Sequence, residues 1–188
     1  MRRSIALTLL AVLAAFSVAS CDRRDAREAS PEEVESPKKG VDRSRAGEPM
    51  PDVGILDSED ETATLLAASG QPVLVNLWAS WCAPCVKELP TLEAMSRSKE
   101  APRVIIVSVD IGPRASVDAF LEKHDVAGLQ SWRDPNMALA GALGVQVMPT
   151  TIYYDGSGRE IWRYVGDLDW TGAEAARLLA EAAPAGSR

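Results

Sequence analysis

A pair of cysteines stands where a buried strand is expected to give way to a helix, and this junction constrains the fold more than any other feature. Residues 73–79 read VLVNLWA, a nearly continuous apolar run rich in β-branched residues, which is typical of a strand covered on both faces. From Pro84 onward apolar residues recur at spacings of three, as on one face of a helix. Cys82 and Cys85 lie between these segments, so the fold must bring both sulfurs to the end of a strand and the start of a helix.

The chemistry of the two sulfurs follows from this placement. The first N–H groups of a helix have no partner within the helix, and together with the helix dipole they stabilise a thiolate at its N-terminus. We therefore expect Cys82 to be the attacking sulfur. Cys85, three residues further along, can close a disulfide with Cys82 and release whatever Cys82 has captured.

Two other uses of such a pair are weaker. Half of a zinc site would need further soft ligands, and the remaining candidates in the chain are His124 and Cys21. A permanent stabilising disulfide would close a very short loop and would remove little entropy from the unfolded chain. We predict no metal and no cofactor.

The rest of the chain predicts a mixed β-sheet flanked by helices on both faces. A buried strand at 103–109 is followed by a helix at 113–124, and strand, helix, strand implies a right-handed parallel crossover. Short apolar pieces at 50–66 indicate a small N-terminal hairpin on the sheet edge. The remaining expected elements are a helix, two strands joined by a hairpin turn, and a last helix, at 136–143, 150–154, 160–165 and up to Ala182.

The N-terminus has the layout of an export signal. Arg2 and Arg3 precede an apolar run that ends in small residues, and the run is short for a membrane-spanning helix. The small residues before Cys21 resemble the lipobox of bacterial lipoproteins, in which the cysteine becomes the acylated N-terminus. In such lipoproteins an aspartate in the next position, here Asp22, implies retention at the inner membrane. An uncleaved N-terminal anchor is the alternative.

These features divide the chain into four parts. We expect the signal to be followed by a flexible tether, because the segment after Cys21 is dense in charge of both signs and has almost nothing apolar to bury. One domain follows, since the chain is too short for two. The expected parts are a signal peptide, a lipidated tether, the folded domain and a tail, at residues 1–20, 21–47, 48–184 and 185–188.

Charge narrows the choice of partners. The formal net charge is -7, so a nucleic acid is not an expected partner. The composition is otherwise ordinary for a soluble globular domain and identifies no activity.

Four segments together resemble the thioredoxin superfamily, and within it the membrane-tethered thiol-disulfide oxidoreductases of the TlpA and ResA type. They are residues 73–79, 81–85, 88–90 and 147–150, and the resemblance spans residues 48–183. It implies a thioredoxin-like fold in which Pro149 follows a cis peptide bond and packs against the sulfurs. It also implies a substrate-binding lip formed by Trp81, Met148 and Thr150, with the Met148 backbone pairing with an extended substrate.

One departure from the thioredoxin pattern concerns the proton of the resolving thiol. Thioredoxins have a buried aspartate where this chain has Asn76, and an amide cannot take up a proton. Glu88 lies one helical turn after Cys85 and is the best candidate for the base. The TlpA and ResA type carries a glutamate at this place. The alternative is that Glu88 is a solvated surface acid.

The leading hypothesis is a disulfide reductase on the periplasmic side of the bacterial inner membrane, held there by its lipid anchor. The resemblance implies that it keeps cysteines of exported proteins reduced, for example in apocytochrome c or copper-site proteins, and that a membrane electron donor of the thiol-reductase type supplies it. The sequence does not set the direction of exchange, because small shifts in potential decide it.

Two alternatives remain within related folds. A thiol peroxidase would have a lone reactive cysteine preceded by proline and threonine, and residues 76–80 hold neither. A copper-delivery protein would have three residues between its cysteines and a later histidine ligand, whereas here two residues separate them and no histidine follows His124.

Overall fold

The computed structural model describes residues 38–182. The predicted signal peptide, the lipidation site at Cys21, most of the tether and the tail at 185–188 lie outside the described residues. Among residues 38–182, no helix is both long enough and apolar enough to cross a bilayer.

Eight strands form one mixed sheet. In chain order they are β1 Gly40–Asp42, β2 Ile55–Leu56, β3 Thr62–Ala63, β4 Val73–Trp78, β5 Arg103–Ser108, β6 Gln130–Arg133, β7 Thr150–Tyr154 and β8 Glu160–Val165. Their order across the sheet is β1-β8-β7-β4-β5-β6-β2-β3. Four helices connect or follow the strands: α1 Ala83–Ser96, α2 Arg114–Lys123, α3 Ala138–Ala142 and α4 Ala173–Ala182.

The centre of the sheet is β4, whose six residues are all buried. It runs parallel to β5 and antiparallel to β7. The crossovers β4-α1-β5 and β5-α2-β6 are both parallel, which confirms the predicted strand, helix, strand unit. Because Leu77 is paired with Thr150, the start of β7 lies beside the end of β4, the end from which the chain runs on to the cysteines.

The edges of the sheet differ from the prediction in two places. The hairpin expected within residues 50–66 is confirmed as β2 and β3, but it attaches to the unpredicted strand β6, through Leu56 and Arg133. At the opposite edge the domain begins earlier than residue 48. Strand β1 pairs with β8 inside the segment assigned to the tether, because an edge strand can be held by backbone hydrogen bonds and a single apolar side chain, here Val41.

Candidate active site

The two cysteines form a disulfide at the start of α1, with an S–S distance of 2.06 Å. Cys82 is the N-cap residue, and its sulfur accepts a hydrogen bond from the Cys85 N–H at 3.3 Å. Cys82 is 7% exposed and Cys85 is fully buried. The structure therefore puts both sulfurs at the strand-to-helix junction, with Cys82 as the sulfur that a second molecule can reach.

The turn that leads to Cys82 is fixed by Asp110, a residue that the sequence analysis did not single out. Its carboxylate accepts hydrogen bonds from the Ser80 N–H at 3.0 Å, the Ser80 hydroxyl at 2.8 Å and the Ser108 hydroxyl at 2.7 Å. Parallel strands end at the same edge of a sheet. The position of Asp110 just after β5 could therefore have predicted its contact with the residues just after β4. Asp110 ties the active-site turn to the neighbouring strand.

The loop before β7 lies at the same edge. The peptide bond between Met148 and Pro149 is cis. Thr150 is buried, its hydroxyl donates to the Val147 carbonyl at 2.7 Å, and its position in β7 lies between β4 and β8. Of the three residues expected to form the substrate-binding lip, Thr150 therefore supports the loop from within, since its side chain and its strand position are both internal.

An open groove adjoins the active-site turn. Its volume is about 460 Å³, and its lining is mostly apolar, with Trp81, Val109, Ile111, Phe120 and Met137 beside the polar residues Ser80, Asp110 and Ser116. Trp81 is 69% exposed and Ile111 is 87% exposed, so both offer apolar surface to a partner. Trp78, by contrast, is fully buried and packs against Phe120. Trp81 was expected at the lip of the site, whereas Ile111 and Met137 were not, because neither belongs to a recognisable motif.

Glu88 lies on α1, three residues after Cys85, and is buried, with 2% of its surface exposed. One carboxylate oxygen accepts a hydrogen bond from the Asn76 side chain at 2.7 Å. The other accepts bonds from the Leu168 N–H at 3.0 Å and the Trp170 indole N–H at 3.3 Å. Burial raises the pKa of Glu88 to about 7, although each of these hydrogen bonds lowers it. The interpretation of Glu88 as a solvated surface acid is therefore wrong.

The charge of Asp167 acts on Glu88 in the same direction as burial. The carboxylate of Asp167 raises the pKa of Glu88 further by like-charge repulsion. Asp167 itself stays ionised, because its hydrogen bond and ion pair with Lys39 at 2.5 Å lower its pKa. Glu88 thus combines a buried position with a pKa close to neutrality, as a group that exchanges protons at neutral pH requires.

Three comparisons place this geometry among known proteins. A family model described as Redoxin matches residues 45–179. The chain is 38% identical over 96 residues to a thiol:disulfide interchange protein DsbE homolog of Paracoccus denitrificans, covering 50% of this chain and 51% of the relative. It is 28% identical over 131 residues to the thiol-disulfide oxidoreductase ResA of Halalkalibacterium halodurans, covering 68% of this chain and 74% of the relative.

A solved structure agrees with the predicted fold. The crystal structure of a thiol:disulfide interchange protein DsbE from Chlorobium tepidum superposes with a TM-score of 0.64 at 24% identity, covering 73% of this chain and 96% of that one. The thioredoxin-like fold is confirmed. The chain spans only about half the length of its Paracoccus relative. Because the family model covers more than half of its residues, the chain belongs to the Redoxin family, and its homologues include thiol-disulfide oxidoreductases of the ResA and DsbE type.

Proposed function

We propose that this thioredoxin-like thiol-disulfide oxidoreductase reduces disulfides in exported proteins, with Cys82 as the attacking thiol and Cys85 as the resolving thiol. The observation that carries the proposal is the position of the disulfide. It caps a helix N-terminus, its outer sulfur is Cys82, and it adjoins an apolar groove.

The reaction begins with the reduced dithiol. The Cys82 thiolate, stabilised by the Cys85 N–H and the start of α1, attacks one sulfur of a substrate disulfide and expels the other as a thiolate. A mixed disulfide between Cys82 and the substrate results. Cys85 then loses its proton and attacks the Cys82 sulfur, which releases the second substrate thiolate. Two electrons pass to the substrate, and the enzyme is left with the Cys82–Cys85 disulfide seen in the structure.

We assign the proton of the Cys85 thiol to Glu88. Glu88 follows Cys85 by three residues on α1, which places the two side chains on one face of the helix. Its pKa of about 7 lets it accept a proton at neutral pH and give it up again. Asn76 cannot act as this base, because a side-chain amide does not take up a proton at neutral pH.

The substrate class follows from the surface around Cys82. Trp81, Ile111 and Met137 present exposed apolar side chains beside the site, which suits an unfolded segment that still exposes its core residues. We place the Met148 backbone, next to the cis Pro149 peptide bond, alongside such an extended segment. Exported proteins with cysteine pairs, such as apocytochrome c or copper-site proteins, have this chemistry, and a thiol-reducing membrane partner would return the two electrons.

The direction of exchange is tested by the reduction potential of the Cys82–Cys85 couple. A reductase is expected to lie near the roughly −270 mV of thioredoxin, whereas an oxidant lies near roughly −120 mV. Equilibration with glutathione or dithiothreitol buffers, read by intact mass after thiol alkylation, gives the value. A potential near that of an oxidant would contradict the reducing direction and leave the chemistry of the two sulfurs intact.

The substrates are tested by trapping. A Cys85→Ser variant keeps the attacking thiol and lacks the resolving one, so we expect it to accumulate mixed disulfides with exported proteins that contain cysteine pairs. Identification by mass spectrometry after non-reducing separation gives the partners. The matched control is the double variant Cys82→Ser, Cys85→Ser, which has the same helix and no thiol. Adducts that persist in the control would show that capture does not pass through Cys82.

We also propose that Cys21 carries the membrane anchor. Intact mass of the protein from the membrane fraction should then correspond to a chain that begins at Cys21 and carries several acyl groups, which anchor stably where one would not. Cys21→Ser is the matched control and should leave the membrane fraction or retain its signal. A membrane-bound mass that begins at Met1 without acylation would instead support an uncleaved anchor.

A further inference from the structure

The amide of Asn76 has an unequal set of partners. Its nitrogen donates to Glu88 at 2.7 Å and to the Thr151 hydroxyl at 2.9 Å, so both of its N–H groups are used. Its oxygen is buried and has no hydrogen-bond partner within the described part of the chain, although the residue is fully buried. An unpaired buried acceptor is costly, by about 1–3 kcal/mol, and calls for a reason.

Glu88 supplies that reason, because the groups within residues 38–182 that hydrogen-bond to its carboxyl oxygens are all donors. The three groups that reach its oxygens are the Asn76 amide, the Leu168 N–H and the Trp170 indole N–H. Such a set suits an ionised carboxylate, which only accepts hydrogen bonds. A neutral carboxyl carries an O–H that must find an acceptor, and none of the three groups offers one in the observed arrangement. The Asn76 oxygen has no partner among the described residues, and it belongs to the same amide group that contacts Glu88.

We propose that the Asn76 amide flips when Glu88 takes up a proton. Its nitrogen donates to the carboxylate, and after the flip its oxygen accepts a hydrogen bond from the neutral acid. Rotation about the terminal side-chain bond exchanges the two atoms without moving the backbone. Thr151 fits both orientations, since its hydroxyl accepts from the nitrogen in one and donates to the oxygen in the other. Asn76 is then a positioning residue for Glu88, and the inference rests on the role of Glu88 proposed above.

The two orientations of the Asn76 amide differ in free energy, and this difference affects whether Glu88 keeps its proton. After the flip, the N–H groups of Asn76 point to the place where its oxygen has no partner in the observed orientation. The hydrogen bonding of the neutral acid is therefore less favourable than that of the carboxylate. Burial favours the neutral acid and the amide favours the carboxylate. A proton taken from Cys85 is therefore passed on rather than kept. An aspartate in place of Asn76 would instead put a second negative charge beside Glu88.

Other titratable groups face Glu88 without reaching its oxygens. Asp167 acts on it from the loop after β8, Tyr164 lies on β8, and Lys39 pairs with Asp167. On α1 itself, Lys87 is exposed and Cys85 titrates only in the reduced protein. The test is therefore made on the oxidised protein, in which Cys82 and Cys85 form a disulfide and have no titratable thiol.

The experiment follows the Asn76 side-chain amide and the Glu88 carboxyl carbon by NMR in the oxidised full chain, from about pH 5 to about pH 9, a range that brackets the Glu88 transition. We expect both signals to move in one transition with the same midpoint. Asn136, whose side chain is exposed, is the internal control and should not follow that transition. An Asn76 amide that stays constant while the Glu88 carboxyl titrates would overturn the proposal.

Two glutamine variants sharpen the test. Glu88→Gln imitates the neutral acid, because its amide N–H can donate to the Asn76 oxygen, so the Asn76 signals should become independent of pH and rest at their low-pH position. Glu93→Gln makes the same change at the other buried glutamate of α1, which bonds Arg97 instead, and should leave the Asn76 transition in place. Loss of the transition in Glu93→Gln as well would contradict a specific link to Glu88.

A third variant separates positioning from a merely structural role. Asn76→Leu removes the amide, and the Glu88 midpoint should then move to higher pH, because the charge-assisted bond to the carboxylate is the stronger of the two. An unmoved midpoint in a folded variant would contradict the proposal. These readouts need no turnover. If Glu88 is not the base, the Glu88→Gln variant will keep its activity. The Asn76 transition of the wild-type protein will still be observed.

Discussion

Replacing Cys82 with serine is expected to abolish the dithiothreitol-driven reduction of insulin, with a loss of at least ~10³-fold in rate. The hydroxyl of serine is not ionised at neutral pH and cannot form a mixed disulfide with the substrate. Cys85 cannot substitute, because its side chain is fully buried behind Cys82. The turbidity of precipitating insulin, measured over time at equal enzyme concentrations, gives the rate.

The control for this variant is the third cysteine of the chain. Cys21→Ser leaves the strand-to-helix junction unchanged and should keep wild-type turnover in detergent-solubilised protein. Circular dichroism checks that Cys82→Ser is folded, which we expect because Cys82 lies at the N-cap, a position where serine is favourable. Turnover retained by a folded Cys82→Ser variant would show that another group attacks the substrate.

The centre of the fold could be predicted because the sequence patterns there are local. The apolar run at 73–79, rich in β-branched residues, has the pattern of a doubly covered strand, and its first six residues form β4, all of them buried. Strand β6 was not predicted, because its four residues, QSWR, include one apolar side chain and are held by the neighbouring β5 rather than by their own pattern. Strand β1 was missed for the same reason, since β8 supplies its backbone partners.

The residues of the active site also differ in whether a local sequence pattern reveals them. Cys82 and Cys85 could be found from spacing alone, because a pair three residues apart at a helix start is a local pattern. The partners of Glu88 could not, since Asn76 lies 12 residues before it on a different element, β4, and Leu168 and Trp170 follow it at a sequence distance of about eighty residues. No periodicity in α1 distinguishes Glu88 from an exposed acid. Only its hydrogen bonds with Asn76 on β4 and with Leu168 and Trp170 in the loop after β8 do so.

The hydrogen bonds of Glu88 make Glu88→Gln the most informative change after Cys82→Ser. The variant is expected to slow the resolving step by about 10²-fold while leaving the first attack by Cys82 nearly unchanged, because it removes the base that takes the Cys85 proton. Stopped-flow measurement with a fluorescent mixed-disulfide substrate separates the two steps. Glu93→Gln is the matched control on the same helix and should change neither step.

The pH dependence of the resolving step decides whether Glu88 acts as a base. An acid works as a base only when ionised, and burial raises the pKa of Glu88 to about 7, so the wild-type rate should rise with pH through about 7 and level off above it. In Glu88→Gln this rise should disappear, and the remaining rate should follow the ionisation of the Cys85 thiol at higher pH. A Gln variant that keeps the rise near 7 would show that the proton leaves by another route, through solvent that reaches Cys85 once the mixed disulfide opens the site. The burial of Glu88 would then serve packing against Leu168 and Trp170, and the carboxylate would be retained at an energetic cost that a glutamine in its place would remove.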